Sequence, residues 1–292
     1  MSDSPRTPAE NAELALLLEV AGTPKPGNVD RHRDLDDLRF EQFLAGTVGS
    51  AAGLRGAADG APLGEAIERA VRGMSHQSGG NTQFGCLLLL TPLVSAAGDG
   101  DLSPEAVRER CRGTTVDDAV AFYRVFEHVD VAVGDPAADA AELDVRRGSD
   151  AAPALRERGT TLWDVMALSA DPDDSVPDTN AQEWVEGFPR TFDAAESILA
   201  HDGPVLDRAA HCFLRELAAE PDTLVATNYG ESVARETRKR AESTLAEVER
   251  SGSLDPAEEL AEAFVDEGIN PGTTADRVAA SVFVALERGL DV

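Results

Sequence analysis

Apolar residues recur along this chain at three- and four-residue spacings, and no segment alternates convincingly at period two. That pattern predicts helices throughout. The first starts at the capping box Thr7-Pro8-Ala9-Glu10, with proline at the first helical position, and runs to about Ala21, where Gly22 stops it. Leu14, Leu17, Leu18 and Ala21 would share its apolar face. A second helix, Asp37 to about Arg55, would turn Phe40, Phe43, Leu44, Val48 and Ala51 inward, and a third, Leu63 to Met74, would bury Leu63, Ile67, Ala70, Val71 and Met74. The apolar run Phe84 to Leu93 is too short to span a bilayer and reads as a buried helix that Pro92 should kink or end. Later helices are expected from Ser103-Pro104, from Thr114 or Thr115 through His128, and from the capping box Thr161-Leu162-Trp163-Asp164. Others follow at about 179–200, 204–219, 230–250 and 255–267, with a turn at Thr227-Asn228-Tyr229-Gly230, and the last runs to about Arg288. The expected fold is all-α: a compact multi-helix bundle forming one domain over residues 1–292.

Composition adds surface character. The chain carries 26 basic and 54 acidic residues, a net charge of −28. Lys25 and Lys239 are its only lysines. Acidic residues scattered among Ala, Gly and Val suit a surface bathed in concentrated salt, where screening mutes self-repulsion. No basic stripe marks a nucleic-acid groove. Cys86, Cys111 and Cys212 lack a CxxC spacing and read as reduced core residues. The start Met-Ser-Asp-Ser-Pro-Arg has no apolar stretch behind a basic one, and no segment has the length and hydropathy of a membrane span, so a soluble, cytoplasmic protein is expected.

Three stretches concentrate chemistry. Thr23 to Asp36 is a stiff loop with Pro24, Pro26 and Gly27, and it gathers Lys25, Asp30, His32, Asp34 and Asp36. Closely spaced carboxylates on a loop suit Mg²⁺, and a neighbouring lysine suits phosphate; a solvated acidic loop is the bland alternative. The second stretch, Ser78-Gly79-Gly80-Asn81-Thr82, runs into the Phe84 helix, whose amides and dipole favour an anion; a flexible loop entering a core helix is the alternative. The third, Asn270-Pro271-Gly272-Thr273-Thr274-Ala275-Asp276, is another loop-to-helix start, also explicable as a plain capped helix. Val131 to Asp150, with Asp135, Asp144, Arg146 and Arg147, reads as a linker or a phosphate grip, and Pro172 to Pro177 as an acidic loop.

Taken together and in order, these stretches resemble the motifs of the triphosphoribosyl-dephospho-CoA synthase family. Thr23-Pro24-Lys25-Pro26-Gly27-Asn28-Val29-Asp30 with His32 and Asp34 is similar to its first motif, Gly79-Gly80-Asn81-Thr82 with Gly85 to its second, and Asn270-Pro271-Gly272-Thr274-Ala275-Asp276 to its third. The chain differs at Gln83-Phe84, where a His-Lys type of continuation is usual, and at Arg277, where an apolar residue is usual. The resemblance implies an all-helical enzyme that takes ATP and 3′-dephospho-CoA, forms 2′-(5″-triphosphoribosyl)-3′-dephospho-CoA and releases adenine. It implies Mg²⁺ held by Asp30, Asp34 and Asp36, and phosphate and cofactor contacts from Lys25, Gly79, Gly80, Asn81, Thr82, Gly272 and Thr274. Catalytic roles fall to His32, Asp34, Asp36 and Asp276. A related ribosyl transferase with another acceptor, a Mg²⁺-dependent hydrolase of a nucleotide glycosidic bond and a non-enzymatic nucleotide-binding protein are the alternatives.

Overall fold

A computed structural model describes residues 6–134, 141–170 and 177–292. The N-terminal stretch 1–5, Asp135 and most of the acidic loop 172–177 lie outside them. The described residues form fifteen α-helices and no sheet. In chain order they are α1 Pro8–Ala21, α2 Phe40–Ala58, α3 Leu63–Met74, α4 Phe84–Gly98, α5 Pro104–Arg112, α6 Val116–Arg124, α7 Ala152–Arg158, α8 Leu162–Ser169, α9 Thr179–Glu186, α10 Pro189–Ala200, α11 Val205–Ala219, α12 Thr223–Tyr229, α13 Glu231–Ser251, α14 Asp255–Asp266 and α15 Gly272–Glu287.

The bundle is arranged around α4 and α15, whose residues are buried on nearly all sides. α15 packs against α1, α4, α10 and α11, and the α2–α3 pair covers α4 from the other side. One apolar core draws on residues from Ala9 to Leu290. α1 also ties to α15 through polar groups, since Asn11 Nδ2 donates to Glu287 at 2.7 Å.

Several local expectations change under tertiary packing. α1 buries Ala12, Ala15, Leu16 and Glu19 rather than a Leu14–Leu17–Ala21 face, because helices cover it on more than one side. Val48, expected inward, is 75% exposed, since glycines on α2 turn a different face to α3. Pro92 does not end α4, which continues to Gly98. A proline cannot bond the carbonyl four residues back, here that of Leu88. The buried indole of Trp184, on α9, donates to that carbonyl instead, at 3.1 Å. The helix expected at 179–200 is broken at Gly187 and Phe188, both at positive φ, with the buried Glu183 carboxylate accepting from the backbone N–H groups of Arg190 and Thr191. The Thr227–Gly230 turn is instead the end of α12, which Asp222 caps.

The α2–α3 crossing is close because Gly49 and Gly73 face each other, and a methyl on Gly49 would overlap the carbonyl oxygen of Gly73. Gly56, also inside α2, has room for a methyl, whose nearest neighbour would be Ala61 Cβ at 3.7 Å. Gly49→Ala should therefore lower unfolding free energy by about 1–3 kcal/mol through overpacking. Gly56→Ala should be neutral or raise it by up to about 1 kcal/mol through helix propensity. Urea unfolding followed by circular dichroism checks both; equal effects would contradict this account of the crossing.

Candidate active site

The first loop is folded around its own charges. Lys25 is fully buried, and its Nζ donates to Glu19 Oε1 at 2.5 Å and to Asn28 Oδ1 at 2.9 Å. Burial pushes the Glu19 carboxyl up, and Lys25 opposes that shift. Asp30, also buried, accepts from the Thr23 hydroxyl at 2.9 Å, the Lys25 backbone N–H at 3.2 Å, the His32 backbone N–H at 2.8 Å and Arg33 at 2.8 Å. Arg33 also pairs with Glu258, which pins the loop to α14. Two contacts join the first loop to the third: Asn28 Nδ2 donates to Asn270 Oδ1 at 2.8 Å, and Gly27, at φ 74°, lies where any Cβ would overlap the Ile269 carbonyl oxygen.

The third stretch meets the second through Asp276, in the second turn of α15. Its carboxylate packs on Gly85, in the first turn of α4, where a Cβ would collide with it. Cys86 Sγ donates to Asp276 Oδ1 at 3.2 Å, and Asn180 Nδ2, on α9, donates to Oδ2 at 2.9 Å. As a residue Asp276 is half-buried. Burial pushes its pKa up to about 7 against the opposing hydrogen bonds from Asn180 and Cys86. Burial also drives the Cys86 thiol far up, so it serves as a neutral donor. The charges of Glu19 and Lys25 are felt at Cys86 as well.

The glycine-rich loop is braced from within. Gln77 accepts from the Gly79 N–H and donates to the Gly80 carbonyl, Gln42 donates to Ser78, and Asn81 Oδ1 accepts from the Phe84 N–H at 3.1 Å. Thr82 Oγ1 is buried beside Gly46 with no partner among the described residues. Only Gly80 needs its glycine for backbone shape, at φ 64° with open space around it.

Other expected residues are placed differently. Lys25 is not presented to a ligand, because its ammonium is held internally. Thr274 donates its hydroxyl to the buried Asp222 at 2.8 Å, and its N–H at 2.7 Å, so it joins α15 to α12. Gly272 packs on Leu224. His32, Asp34 and Asp36 are exposed, and Asp34 accepts from the Phe40 N–H at the start of α2. Asp30, Asp34 and Asp36 thus point to different surroundings. No group of three His, Cys, Asp or Glu side chains able to hold a metal ion occurs among the described residues, and the Asp30 carboxylate is taken up by donors of its own loop. Arg146, a phosphate candidate, is clamped by Asp144 at 2.7 Å.

A cleft of about 890 Å³ lies at the other end of α4. Its lining includes Glu65, Asp99, Asp101, Glu109, Asp117 and Asp118, and its Arg110 pairs with Asp99. A polyphosphate there would face a wall of like charge. The Asp276 neighbourhood is therefore the better candidate. Sequence reading missed Gly85's contact, Cys86, Asn180 and Glu19. The periodicity around them signals only helix, although Asn180 two residues after the capping Asp178 is a weak mark of a polar helix start.

The sequence matches the family model CitG, ATP:dephospho-CoA triphosphoribosyl transferase, over residues 5–291. The fold is similar to a crystal structure assigned provisionally as a triphosphoribosyl-dephospho-CoA synthase from Archaeoglobus fulgidus. The TM-score is 0.67 and the identity 25%, and the match covers 85% of this chain and 100% of that one. No curated protein matches the chain.

Asp276 gives this site a stability signature. An unfolded aspartate releases its proton near 3.8, whereas Asp276 holds its own to about 7. Between those values the folded state binds the extra proton, so this group's contribution to stability falls as pH rises through the window. The unfolding free energy of wild type minus that of Asp276→Asn should decline from about pH 4 to about pH 7 and level off above. Urea titrations across that range check it, and a difference that does not change with pH would mean an ordinary carboxyl.

Proposed function

The chain belongs to the ATP:dephospho-CoA triphosphoribosyl transferase family, and we propose that Asp276, with Gly85, Cys86 and Asn180 around it, is where its transfer chemistry occurs. The enzyme moves the triphosphoribosyl group of ATP to 3′-dephospho-CoA and releases adenine. The observation that carries the assignment of the site is one carboxyl, its pKa pushed up to about 7, held by two neutral donors where α15 meets the first turn of α4 and α9. Such a group takes and returns a proton at neutral pH.

The acceptor's 2′ oxygen attacks C1′ of the ATP ribose and forms the new C–O bond. Asp276 takes the hydroxyl proton. The C1′–N9 bond breaks with its electron pair going to adenine, which leaves after protonation. Cys86, Asn180 and Gly85 keep the carboxylate in place, so little reorganisation is needed when charge develops. The amides at the start of α4, behind the Gly79–Thr82 loop, and the solvent-facing Arg31 and Arg39 offer the positive potential for the triphosphate. Lys25 supports this site from beneath by holding Glu19 and Asn28. Magnesium belongs to this reading as the counter-ion that ATP itself brings, bound mainly by phosphate and water. Of the three loop aspartates, only the exposed Asp34 and Asp36 are open to it.

Adenine release from ATP, followed by chromatography, tests the proposal. It should require 3′-dephospho-CoA, and adenine formed at the same rate without acceptor would mean glycosidic hydrolysis instead. Asp276→Asn should lower the rate at least about a hundredfold, roughly 2.7 kcal/mol of transition-state stabilisation, with little change in KM for ATP. In wild type, kcat/KM should fall as pH drops below about 7, because the base must be unprotonated. Asp34→Asn and Asp36→Asn should raise the Mg²⁺ concentration needed for half-maximal rate; an unchanged Mg²⁺ dependence in both would make this loop a plain surface.

A further inference from the structure

Asn180 carries an unmet hydrogen-bonding group beside the reacting carboxyl. The residue is 7% exposed, and Asp178 holds its backbone N–H at 3.0 Å. Its Nδ2 donates to Asp276 Oδ2 at 2.9 Å. Its Oδ1 is buried and has no partner among the described residues. The reverse orientation of the amide would set this oxygen against the carboxylate, so Asp276 determines which way it points. A buried acceptor without a donor is uncommon in folded proteins and calls for a cause. At a reaction centre, a bound ligand that supplies the donor is such a cause.

We propose that Asn180 is a specificity-determining residue for the acceptor: its Oδ1 accepts a hydrogen bond from the ribose hydroxyl adjacent to the one that attacks. This rests on the transferase reading above. In 3′-dephospho-CoA the 2′ and 3′ hydroxyls are neighbours on one ribose. The 2′ proton passes to Asp276 as the 2′ oxygen bonds C1′ and adenine departs with the C1′–N9 electron pair. The 3′ hydroxyl keeps its hydrogen, and an unmet acceptor lies on the same amide that touches Asp276. CoA bears a 3′ phosphate in that place. The phosphate offers no hydroxyl donor of that kind, and it sets negative oxygens against both the amide oxygen and Asp276. One side chain therefore favours the hydroxyl and opposes the phosphate.

The test measures kcat/KM for adenine release with 3′-dephospho-CoA, its 3′-deoxy analogue and CoA, in wild type, Asn180→Ala and Asn180→Asp. Circular dichroism reports whether each variant is folded. Wild type should prefer 3′-dephospho-CoA over the deoxy analogue at least about tenfold, and over CoA by more. Asn180→Ala should bring the preference over the deoxy analogue to within about twofold. Asn180→Asp, which keeps an acceptor oxygen, should be slow yet retain that preference. Equal use of the two analogues by wild type overturns the inference, whatever the variants do. So does an undiminished preference in Asn180→Ala. A wild type that transfers nothing to 3′-dephospho-CoA overturns the transferase reading itself, a result distinct from a lost preference between acceptors.

Discussion

Asp276 can lie against the first turn of α4 because residue 85 has no side chain. Much of the site depends on that contact. It sets the approach of α15 to α4, the two most buried helices, and it delivers a carboxyl from one to the N-terminus of the other. With the helix approach settled, Cys86 follows on α4 and Asn180 arrives from α9, each donating to one carboxylate oxygen. Burying a carboxyl is costly, and the structure meets that cost partly by these two donors and partly by letting the group keep a proton.

The same economy governs the positive charges. The chain has few cations for its 54 acidic residues, and several of those nearest the site are committed internally. Lys25 is held by Glu19, Arg33 by Asp30 and Glu258, and Arg277 by Glu216 and Glu220. Buried pairs of this kind contribute little net stability, yet removing one partner strands a charge. Their effect is positional. Lys25 and Asp30 hold the first loop on itself, and Arg277, next to Asp276 in sequence, holds α15 against α11.

Helix starts were legible where the signal is local. Capping boxes at Thr7 and Thr161 form as their sequences imply, and Thr115 of the pair Thr114 and Thr115 is the cap of α6, because a cap needs only four neighbouring residues. Elements that depend on a distant partner were not legible. α4 survives Pro92 through Trp184, and α12 starts from Asp222, whose other oxygen holds Thr274. The helix break at Gly187 and Phe188 is stabilised by Glu183 from the preceding turn, a burial that periodicity does not report.

Of the candidate site, the sequence by itself determined that Asp276 opens a helix beside Gly and Thr. It also determined the helical fold class, since period and capping are properties of neighbouring residues. Only the tertiary structure decided the uses. Asn180 and Cys86 meet Asp276 across 96 and 190 residues of chain, distances over which no local pattern carries information. Lys25 and Asp30 resemble ligand-binding residues in sequence, yet the fold turns them inward to satisfy each other's loop. A side chain's chemistry is set by its residue type, but its availability is set by burial and partners, and those exist only once the helices have packed.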